Sequence, residues 1–455
     1  MLLEIPLNYS EGVLYRQVAE HLEKMIATGS ISSGERLPGT RELARMLRVS
    51  RGTVVAAYDI LAERGFVVQT GRSGTYAADL PRRGLAPIQG EGDIFHFDVE
   101  QPTRDLLPLS ELSDVLRDIP LPDLAEALEG APVEGLSPLR RLLLRHAVLR
   151  GIPAHPDEVV VTAGGKDALS TALRSLRECG YARLWAEELS YGEIASIAGN
   201  EDVSLRTVPL LYEENLSCLE RLTPSDVLYL VPSFQNPTGR TLSHQLRRAI
   251  LSIRGRRGFL ILEDDSYGEL RYGEKSVPAL KAMEEEGGVV YVGSFSQVLF
   301  PGMRLGYTLL PQPLQEAYLR TGGIRRGHVS SVVQLVVCRF LEGGRLADAV
   351  ERARIILSGR MEALFRLLTR SFPESPVVKP EGGVYLWFPT GEAEGEFAAA
   401  LAADRGVRVT PGSCFALREM KVRAVRFSLS AVPESSMEEA VARLERAWKG
   451  RIFNL

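Results

Sequence analysis

Residues 293–307 of the chain read GSFSQVLFPGMRLGY. The segment follows a strand-like apolar run, VVYVGS (289–294), and leads into another that begins at Arg304, so it predicts a loop between two strands. Ser294 and Ser296 stand where the first strand ends. Side chains that project from the carboxyl ends of parallel strands are where ligands bind in open α/β sheets, so this loop predicts a ligand site.

Three other segments place chemically useful side chains directly after an apolar run. They are TAGGKDAL (162–169), SFQNPTG (233–239) and LEDDSYGELRY (262–272). The small residues of the first open a helix and let backbone N–H groups approach an anion. The second aims Asn236 into a cleft, and the third supplies Asp264 with Tyr267 three residues later. Together they predict one shared cleft at one edge of a sheet.

Apolar β runs alternate with helical patterns from about residue 93 onward. The clearest predicted strands are 158–162, 227–232, 258–263, 289–294 and 304–310. Because helical segments fall between most of them, we expect an α/β domain with a mostly parallel sheet covered on both faces. A long amphipathic helix is predicted near 345–370, followed by a strand at GGVYLWFP and a final helix near 434–449.

The first 78 residues have a different texture, with short helices followed by a β-ribbon. Residues 13–28 carry one apolar stripe, Thr40 is a candidate N-cap for RELARML, and Ser50 for RGTVVAAYDILAERG. Two helices joined by a short turn form a helix-turn-helix, whose second helix enters the DNA major groove with its N-terminus first. The segment FVVQT-GRSG-TYA predicts a hairpin, or wing, around a glycine-containing loop.

Positive charge is concentrated at this helix-turn-helix, although the net charge of the chain is −4. Against one acid, Glu42, the segment carries Arg36, Arg41, Arg45, Arg48 and Arg51. Arginines there can hold phosphates or read guanine edges, and the alternative is a solvated helical face that contacts nothing. We therefore expect double-stranded DNA as a partner, with Ser50, Arg51 and Thr53 at the groove.

The predicted organisation is a DNA-binding domain at 1–78, a linker at 79–92 rich in Pro, Gly and charge, and a second domain at 93–455. No apolar run is long enough to span a bilayer, and the first residues do not resemble a signal peptide. The four cysteines form no CxxC pair and the six histidines no metal motif, so we expect no metal site and a cytoplasmic protein.

The N-terminal domain resembles the GntR family of winged-helix regulators. The match runs from LYRQVAEHL through SGERLPGTRELARMLRVSRGTVVAAYDILAERGFV to GRSGTYA. Arg41, Arg51 and Thr53 match family positions that contact DNA, and Gly74 matches the wing tip. Arg36 and Arg72 are added as further candidates from their charge and place.

The second domain resembles fold-type I aminotransferases, and the whole chain resembles the MocR-like branch of the GntR family, which implies pyridoxal phosphate or pyridoxamine phosphate as cofactor. Asp264 would then hold the pyridine nitrogen, Asn236 and Tyr267 the ring oxygen, and Tyr191 would stack on the ring. Arg426, in VRFSLS (425–430), would bind a substrate carboxylate. The phosphate would lie among residues with small, hydroxyl or cationic side chains, namely Gly164, Gly165, Lys166, Ser294, Ser296 and Arg304.

Two residues depart from the family pattern. Gln297 stands where the family has the lysine that forms the Schiff base with the cofactor, and an amide is neither a nucleophilic amine nor a base near neutrality. Lys166, Lys275 and Lys281 are the nearest lysines in sequence, and none is an obvious substitute. Gly130 stands where family members often carry a tyrosine that reaches the neighbouring subunit's cofactor.

These features predict a homodimeric DNA-binding transcriptional regulator. Its aminotransferase-like domain would sense a small-molecule effector through non-covalent cofactor binding, without transaminase turnover. The competing function is an aminotransferase with an accessory DNA-binding domain, and a domain that binds nothing and only dimerises stays open too. A further interpretation is that Gln297 was introduced to trap a ligand. The codon at this position in genomic DNA would settle the origin of Gln297.

Overall fold

The computed structural model divides the chain into two compact units, residues 1–91 and 92–455, which are described separately. The described residues are 14–27, 31, 34–47, 49–63, 66–70, 74–77, 94–210, 216–273, 277–296 and 299–453. The predicted linker at 79–92 lies outside them, and so do Arg48, Arg72, Lys275 and Gln297.

Three helices and an antiparallel hairpin make up the N-terminal unit. They are α1 (Leu14–Ala27), α2 (Thr40–Leu47), α3 (Arg51–Glu63), β1 (Val67–Thr70) and β2 (Gly74–Ala77). One apolar stripe from each helix enters a common core, where Val18, Leu22, Leu43, Val54 and Leu61 are buried. The predicted winged helix-turn-helix is confirmed.

Helices α2 and α3 begin in different ways. Ser50 Oγ accepts the Thr53 N–H at 3.1 Å, so Ser50 caps α3 as predicted. Thr40 was expected to cap α2 but is its first residue. The reason is that the Gly39 carbonyl already accepts the Leu43 N–H at 2.9 Å, which starts the helical hydrogen bonds one residue earlier.

A seven-stranded sheet is the centre of the C-terminal unit. The strands of this unit are β3 (Phe95–His96), β4 (Val159–Thr162), β5 (Arg183–Glu187), β6 (Ser204–Val208), β7 (Asp226–Leu230), β8 (Leu260–Asp264), β9 (Val289–Ser294), β10 (Gly306–Leu309), β11 (Tyr385–Pro389), β12 (Val407–Arg408), β13 (Thr410–Pro411) and β14 (Ala424–Ser428). The large sheet has the order β4-β10-β9-β8-β7-β5-β6.

Strand β10 is antiparallel to both of its neighbours, and the remaining strand pairs of this sheet are parallel. The exception has a simple reason. The described residues between β9 and β10 contain no α-helix, whereas the crossover that joins parallel neighbours is usually a helix. The prediction of a mostly parallel sheet is confirmed.

Helices surround this sheet. They are α4 (Leu109–Asp118), α5 (Leu121–Glu129), α6 (Ser137–Leu149), α7 (Gly165–Glu178), α8 (Glu193–Asn200), α9 (His244–Arg257), α10 (Leu280–Met283), α11 (Gln312–Arg326), α12 (Ser331–Glu342), α13 (Arg345–Ser371), α14 (Gly395–Ala403) and α15 (Met437–Trp448). The helices predicted near 345–370 and 434–449 correspond to α13 and α15.

Both faces of the sheet are buried, as the alternation along β7 shows. Val227 and Tyr229 join one apolar cluster, which includes buried residues of α7, while Leu228 and Leu230 join another, which includes buried residues of α9. Successive side chains of a strand point to opposite faces, so β7 is covered on both sides. The polar residues at the strand ends are left to form the site.

A smaller sheet, in the order β11-β14-β13, is covered by α14 and α15. The indole of Trp448 stacks on Phe388 at 5.6 Å between ring centroids and donates its N–H to the Ala398 carbonyl at 2.9 Å. The segment after β3 runs beside this sheet, because the Phe97 carbonyl accepts the Ser428 N–H at 2.8 Å. That contact brings residues near 100 next to β14.

In the part of the chain that the structure describes, no helix has the length and apolarity to cross a membrane. The same residues contain no group of three or more His, Cys, Asp or Glu side chains arranged to hold a metal ion.

Candidate functional site

A cavity of about 110 Å³ lies at the carboxyl ends of β7, β8 and β9. Its lining residues are Glu100, Gly165, Lys166, Leu169, Tyr191, Val231, Asn236, Asp264, Ser266, Tyr267, Ser294, Ser296 and Arg304. Every residue that the sequence assigned to the cofactor is among them except Gly164, the residue before α7. Topology explains the convergence, since parallel strands end at one edge of their sheet.

A larger cavity, of about 710 Å³, lies between Arg271, Met361 and Lys379. It holds none of the groups predicted for the cofactor. The smaller cavity is the better candidate for the functional site, because it contains the predicted binding groups and the larger cavity does not.

One end of the small cavity is built for an anion. Gly164 has φ +88°, and a Cβ there would lie 3.0 Å from Arg304 Nη2, so the arginine packs directly over the first turn of α7. Arg304 is exposed and has no ion pair within the described residues. Ser296 Oγ is buried without a hydrogen-bond partner among these residues. An unpaired cation, an unpartnered hydroxyl and a helix N-terminus together fit a phosphate group.

Asp264 ends β8 at the floor of the cavity and is 6% exposed. Its carboxylate accepts hydrogen bonds from Tyr229 Oη at 3.0 Å and from Ser266 Oγ at 2.5 Å and N–H at 3.1 Å. Burial raises the pKa of Asp264 above its usual range, against the lowering effect of these bonds. A buried carboxylate that needs a positive partner fits the protonated nitrogen of a pyridine ring.

Tyrosine and asparagine side chains form the walls between these two groups. The hydroxyl of Tyr267 lies 2.8 Å from that of Tyr385, and burial raises the pKa of Tyr267 well above its ordinary value. Tyr191 donates to Glu193 Oε2 at 3.0 Å, which holds the ring at the edge of the cavity. Asn236 uses its Oδ1 to accept from Arg426. A flat aromatic ligand with a ring oxygen fits between these walls.

Arg426, predicted to bind a substrate carboxylate, is 3% exposed on β14 and already has polar partners. Its Nη1 donates to Asn236 Oδ1 at 2.8 Å and lies 3.1 Å from Glu100 Oε1. The guanidinium carbon lies 4.2 Å from the ring centroid of Tyr385 and 4.5 Å from that of Phe415. The structure thus places Arg426 beside the cavity with a carboxylate of the same chain against it.

The lysines considered as substitutes for a Schiff-base lysine occupy different places. Lys166 lines the cavity but is about half exposed and lies 2.5 Å from Glu193 Oε2. Lys281 is buried on α10, 3.8 Å from Glu284 and 4.0 Å from Glu158, and does not line the cavity. Gly130 follows α5 with φ +119°, and a Cβ there would lie 3.6 Å from His328 Cε1.

Several residues of the site were missed by the sequence analysis. Tyr229, Ser266 and Tyr385 bond directly to predicted residues, but in the sequence they belong to apolar runs or to turns. Alternation could have found Tyr229, since it lies on the same face of β7 as Val227. Glu100 carries no local signal, because its place depends on the pairing of the segment after β3 with distant strands.

The predicted DNA contacts that the structure describes lie around the start of α3. Arg36, Arg41, Ser50 and Arg51 are exposed, and Arg51 Nε donates to Thr40 Oγ1 at 3.4 Å. The guanidinium of Arg36 lies against the wing, because a Cβ on Gly74 would lie 3.0 Å from its Nε. The helix start and the wing thus present cationic groups together.

Two family models match the chain. The model for bacterial regulatory proteins of the gntR family matches residues 14–77, and the model for aminotransferase class I and II matches residues 125–444. The chain is 28% identical to the uncharacterized HTH-type transcriptional regulator YdcR of Escherichia coli, over 96% of this chain and 99% of that protein.

Relatives of both kinds are similar to this chain. The 2-aminoadipate transaminase of Thermus thermophilus is 31% identical, over 81% of this chain and 93% of that one. The pyridoxine biosynthesis transcriptional regulator PdxR of Corynebacterium glutamicum is 28% identical, over 90% of each. Among solved structures, Pyrococcus horikoshii kynurenine aminotransferase in complex with PMP matches with a TM-score of 0.73 and 26% identity, over 80% of this chain and 93% of that one.

Proposed function

We propose a regulatory function for this chain, which belongs to the aminotransferase class I and II family and to the MocR-like branch of the gntR family. The N-terminal unit would bind double-stranded DNA as part of a homodimer. The C-terminal unit would bind pyridoxal phosphate, pyridoxamine phosphate or an amino-acid-type ligand without covalent attachment and without transaminase turnover. Such a regulator would act in the cytoplasm, where bacterial DNA lies.

One observation carries the proposal: the binding groups have remained together while the residue at 297 is glutamine. Asp264, Ser294 and Arg304 line one cavity, and Gln297 follows directly on Ser296 of the same loop. A pocket that only supports a dimer interface has no need of an unpaired arginine and a buried carboxylate in one cavity. Retained binding groups without the reactive amine favour a sensor over an enzyme.

The roles of the residues follow from their places. Arg304, Ser296 and the first N–H groups of α7 would hold a phosphate, and Asp264 would hold a proton on the pyridine nitrogen by a charge-assisted bond. Tyr191 and Asn236 would orient the ring. The bound cofactor supplies electron withdrawal from a carbon next to an amine. The chain, however, offers no amine at position 297 to move the proton that such chemistry releases.

The competing function is an aminotransferase with an accessory DNA-binding domain. The observation in its favour is the 31% identity to a transaminase over 81% of the chain, together with Lys166 at the cavity. Against it stands the ion pair of the Lys166 ammonium with Glu193 Oε2, because this nitrogen already has a carboxylate partner. We therefore rank this function second.

Calorimetric titration of the full-length protein with pyridoxamine phosphate and pyridoxal phosphate tests the proposal. We expect saturable binding, and unmodified protein by mass spectrometry after borohydride treatment. Arg304→Gln should weaken binding at least about tenfold, since a charge-assisted contact to phosphate is lost. Arg320→Gln, an exposed arginine paired with Glu178, is the matched control and should leave the affinity unchanged. Folded protein that binds neither compound contradicts the proposal.

A modified peptide after borohydride treatment would favour the enzyme instead. The position of the modified lysine would then be informative, because Lys166 lines the cavity and Lys281 does not. Release of an oxo acid from amino acids, measured with the same preparation, would establish turnover and overturn the sensor function.

A further inference from the structure

Glu100 forms an ion pair with Arg426, the residue expected to bind a ligand carboxylate. It lies between β3 and the helical turn Arg104–Leu106, lines the cavity, and places Oε1 3.1 Å from Arg426 Nη1. The same nitrogen donates a hydrogen bond to Asn236 Oδ1 at 2.8 Å. The side chain of Glu100 is 36% exposed while that of Arg426 is 4% exposed, so the carboxylate reaches inward from the cavity mouth to a buried cation.

Burial of Arg426 makes the loss of its carboxylate partner costly. A guanidinium taken out of water needs a counter-charge and hydrogen bonds, and the rings of Tyr385 and Phe415 offer only cation–π attraction. Glu100 is the carboxylate that the described residues place within ion-pair distance of Arg426. A ligand carboxylate would have to displace Glu100 or lie beside it, and two like charges within about 4–6 Å disfavour each other.

The other two cations of the cavity have other roles in the proposed function. The charged residues lining the cavity, within the described part of the chain, are Glu100, Lys166, Asp264 and Arg304. Lys166 is paired with Glu193, and Arg304 stands over the helix N-terminus that fits a phosphate. Among the described residues that line the cavity, Arg304 is therefore the cation without a carboxylate partner, and the proposed function assigns it to the phosphate.

We propose that Glu100 is a specificity-determining residue, which makes the pocket select cofactor adducts of amines that carry no carboxylate next to the amine-bearing carbon. Adducts of α-amino acids are disfavoured by the charge of Glu100. This inference rests on the proposed function, because it takes the pocket to bind a phosphopyridoxyl group. It narrows the expected effector from an amino-acid-type ligand to an amine. The N–H groups of such an amine can donate hydrogen bonds to the oxygen atoms of the Glu100 carboxylate.

Two reduced adducts that differ in one group test the inference without requiring a lysine or turnover. They are N-(5'-phosphopyridoxyl)-L-leucine and N-(5'-phosphopyridoxyl)-3-methylbutylamine, which has the same side chain and lacks the carboxylate. Each is titrated calorimetrically into the full-length protein. We expect the amine adduct to bind at least about tenfold more tightly than the leucine adduct, from the repulsion between neighbouring carboxylates.

Glu100→Gln should remove most of this preference, because glutamine keeps the size and one acceptor of the side chain and loses its charge. Asp98→Asn is the matched control, since Asp98 lies on the same segment, pairs with His96 at 3.2 Å and does not line the cavity. It should leave the preference intact. If Glu100→Gln does not fold, Glu100→Asp, which withdraws the carboxylate from Arg426, should also reduce the preference.

The outcomes distinguish a failure of the role proposed for Glu100 from a failure of the proposed function. Equal or tighter binding of the leucine adduct to the unaltered protein overturns the role of Glu100 and leaves the cofactor pocket standing. A preference for the amine adduct that survives in both Glu100 variants also overturns it. If folded protein binds neither adduct and no pyridoxamine phosphate, the proposed function itself fails.

Discussion

At the scale of single residues, the site depends on charges that the fold buries before any ligand is present. Asp264 is surrounded by Tyr229, Ser266 and the cavity wall, and burial raises the pKa of its carboxyl group. Without a cationic partner this residue costs stability at neutral pH. A group arranged in this way is typical of binding sites, because the ligand relieves the cost.

Asp264→Asn should therefore have opposite effects on stability and on binding. A raised pKa in the folded protein means that the contribution of this group to stability is present at low pH and lost as the pH rises through that pKa. The ligand-free variant should thus gain Tm relative to the unaltered protein at pH 8 and gain less at pH 5. Its affinity for pyridoxamine phosphate should fall by roughly 10- to 100-fold, as a charge-assisted bond is lost.

Thermal melts at both pH values, with and without pyridoxamine phosphate, check both halves of this prediction. A variant that melts lower than the unaltered protein at pH 8 in the absence of ligand would show that Asp264 stabilises the fold. A variant that keeps full affinity would remove Asp264 from the ring-nitrogen site.

Gln297→Lys should restore a covalent bond between the chain and pyridoxal phosphate. The side chains have similar reach, and a cationic pocket that binds phosphate would lower the pKa of the new amine, which favours its nucleophilic form. The measurement is visible absorbance during titration with pyridoxal phosphate, followed by borohydride reduction and peptide mapping. Gln297→Met is the control of similar length without an amine. A folded lysine variant without the absorbance band contradicts this reading of position 297.

At the scale of elements, α3 shows how one side chain sets a helix start and presents others. Ser50 Oγ accepts the Thr53 N–H and lies 2.9 Å from Thr53 Oγ1, so Ser50, Arg51 and Thr53 form one ordered surface. A cap of this type satisfies an N–H group that the helix leaves unpaired.

Ser50→Ala should lower the stability of the N-terminal unit by about 1 kcal/mol and weaken DNA binding. Arg51→Ala should reduce affinity for the natural operator by roughly 1–3 kcal/mol if the guanidinium reads a base. Footprint titrations on the upstream region of the gene measure the DNA affinity of both variants. Ser243→Ala is the matched control, because Ser243 caps α9 in the same way at 3.2 Å and belongs to the other unit. Equal loss of DNA affinity in Ser243→Ala would contradict a specific role for the α3 cap.

At the scale of the whole molecule, the two units have separate cores, and the proposed function assigns a different role to each. The N-terminal core is built from residues of α1, α2, α3 and the hairpin, and the C-terminal clusters contain none of them. Separate cores predict that one unit can fold when the other is removed.

Removal of residues 1–78 should abolish sequence-specific DNA binding and leave binding of pyridoxamine phosphate within about twofold, since separate sites contribute independently. The full chain should protect two symmetric half-sites, as a dimer presents two recognition helices. Footprinting and calorimetry on the full and shortened chains check this. Protection that persists without residues 1–78 would place the DNA contact elsewhere.

The sequence by itself determined the features that depend on local pattern. Periodicity predicted α13, α15 and five strands of the large sheet but not β5 or β6, and the Ser50 cap followed from its position before α3. Most residues that line the candidate site were predicted, because motifs at strand ends converge at one edge of a parallel sheet. Local chemistry was sufficient wherever one element supplied the whole signal.

Only the tertiary structure decided which side chains become partners across distant segments. The pairing of β12 with β3 and the bond from Ser428 to Phe97 bring Glu100 to Arg426, although more than 300 residues separate them in sequence. The antiparallel placement of β10 and the contact of Tyr385 with Tyr267 are of the same kind. Such contacts depend on packing and strand register, to which many residues each contribute a little. A local sequence pattern therefore does not predict them.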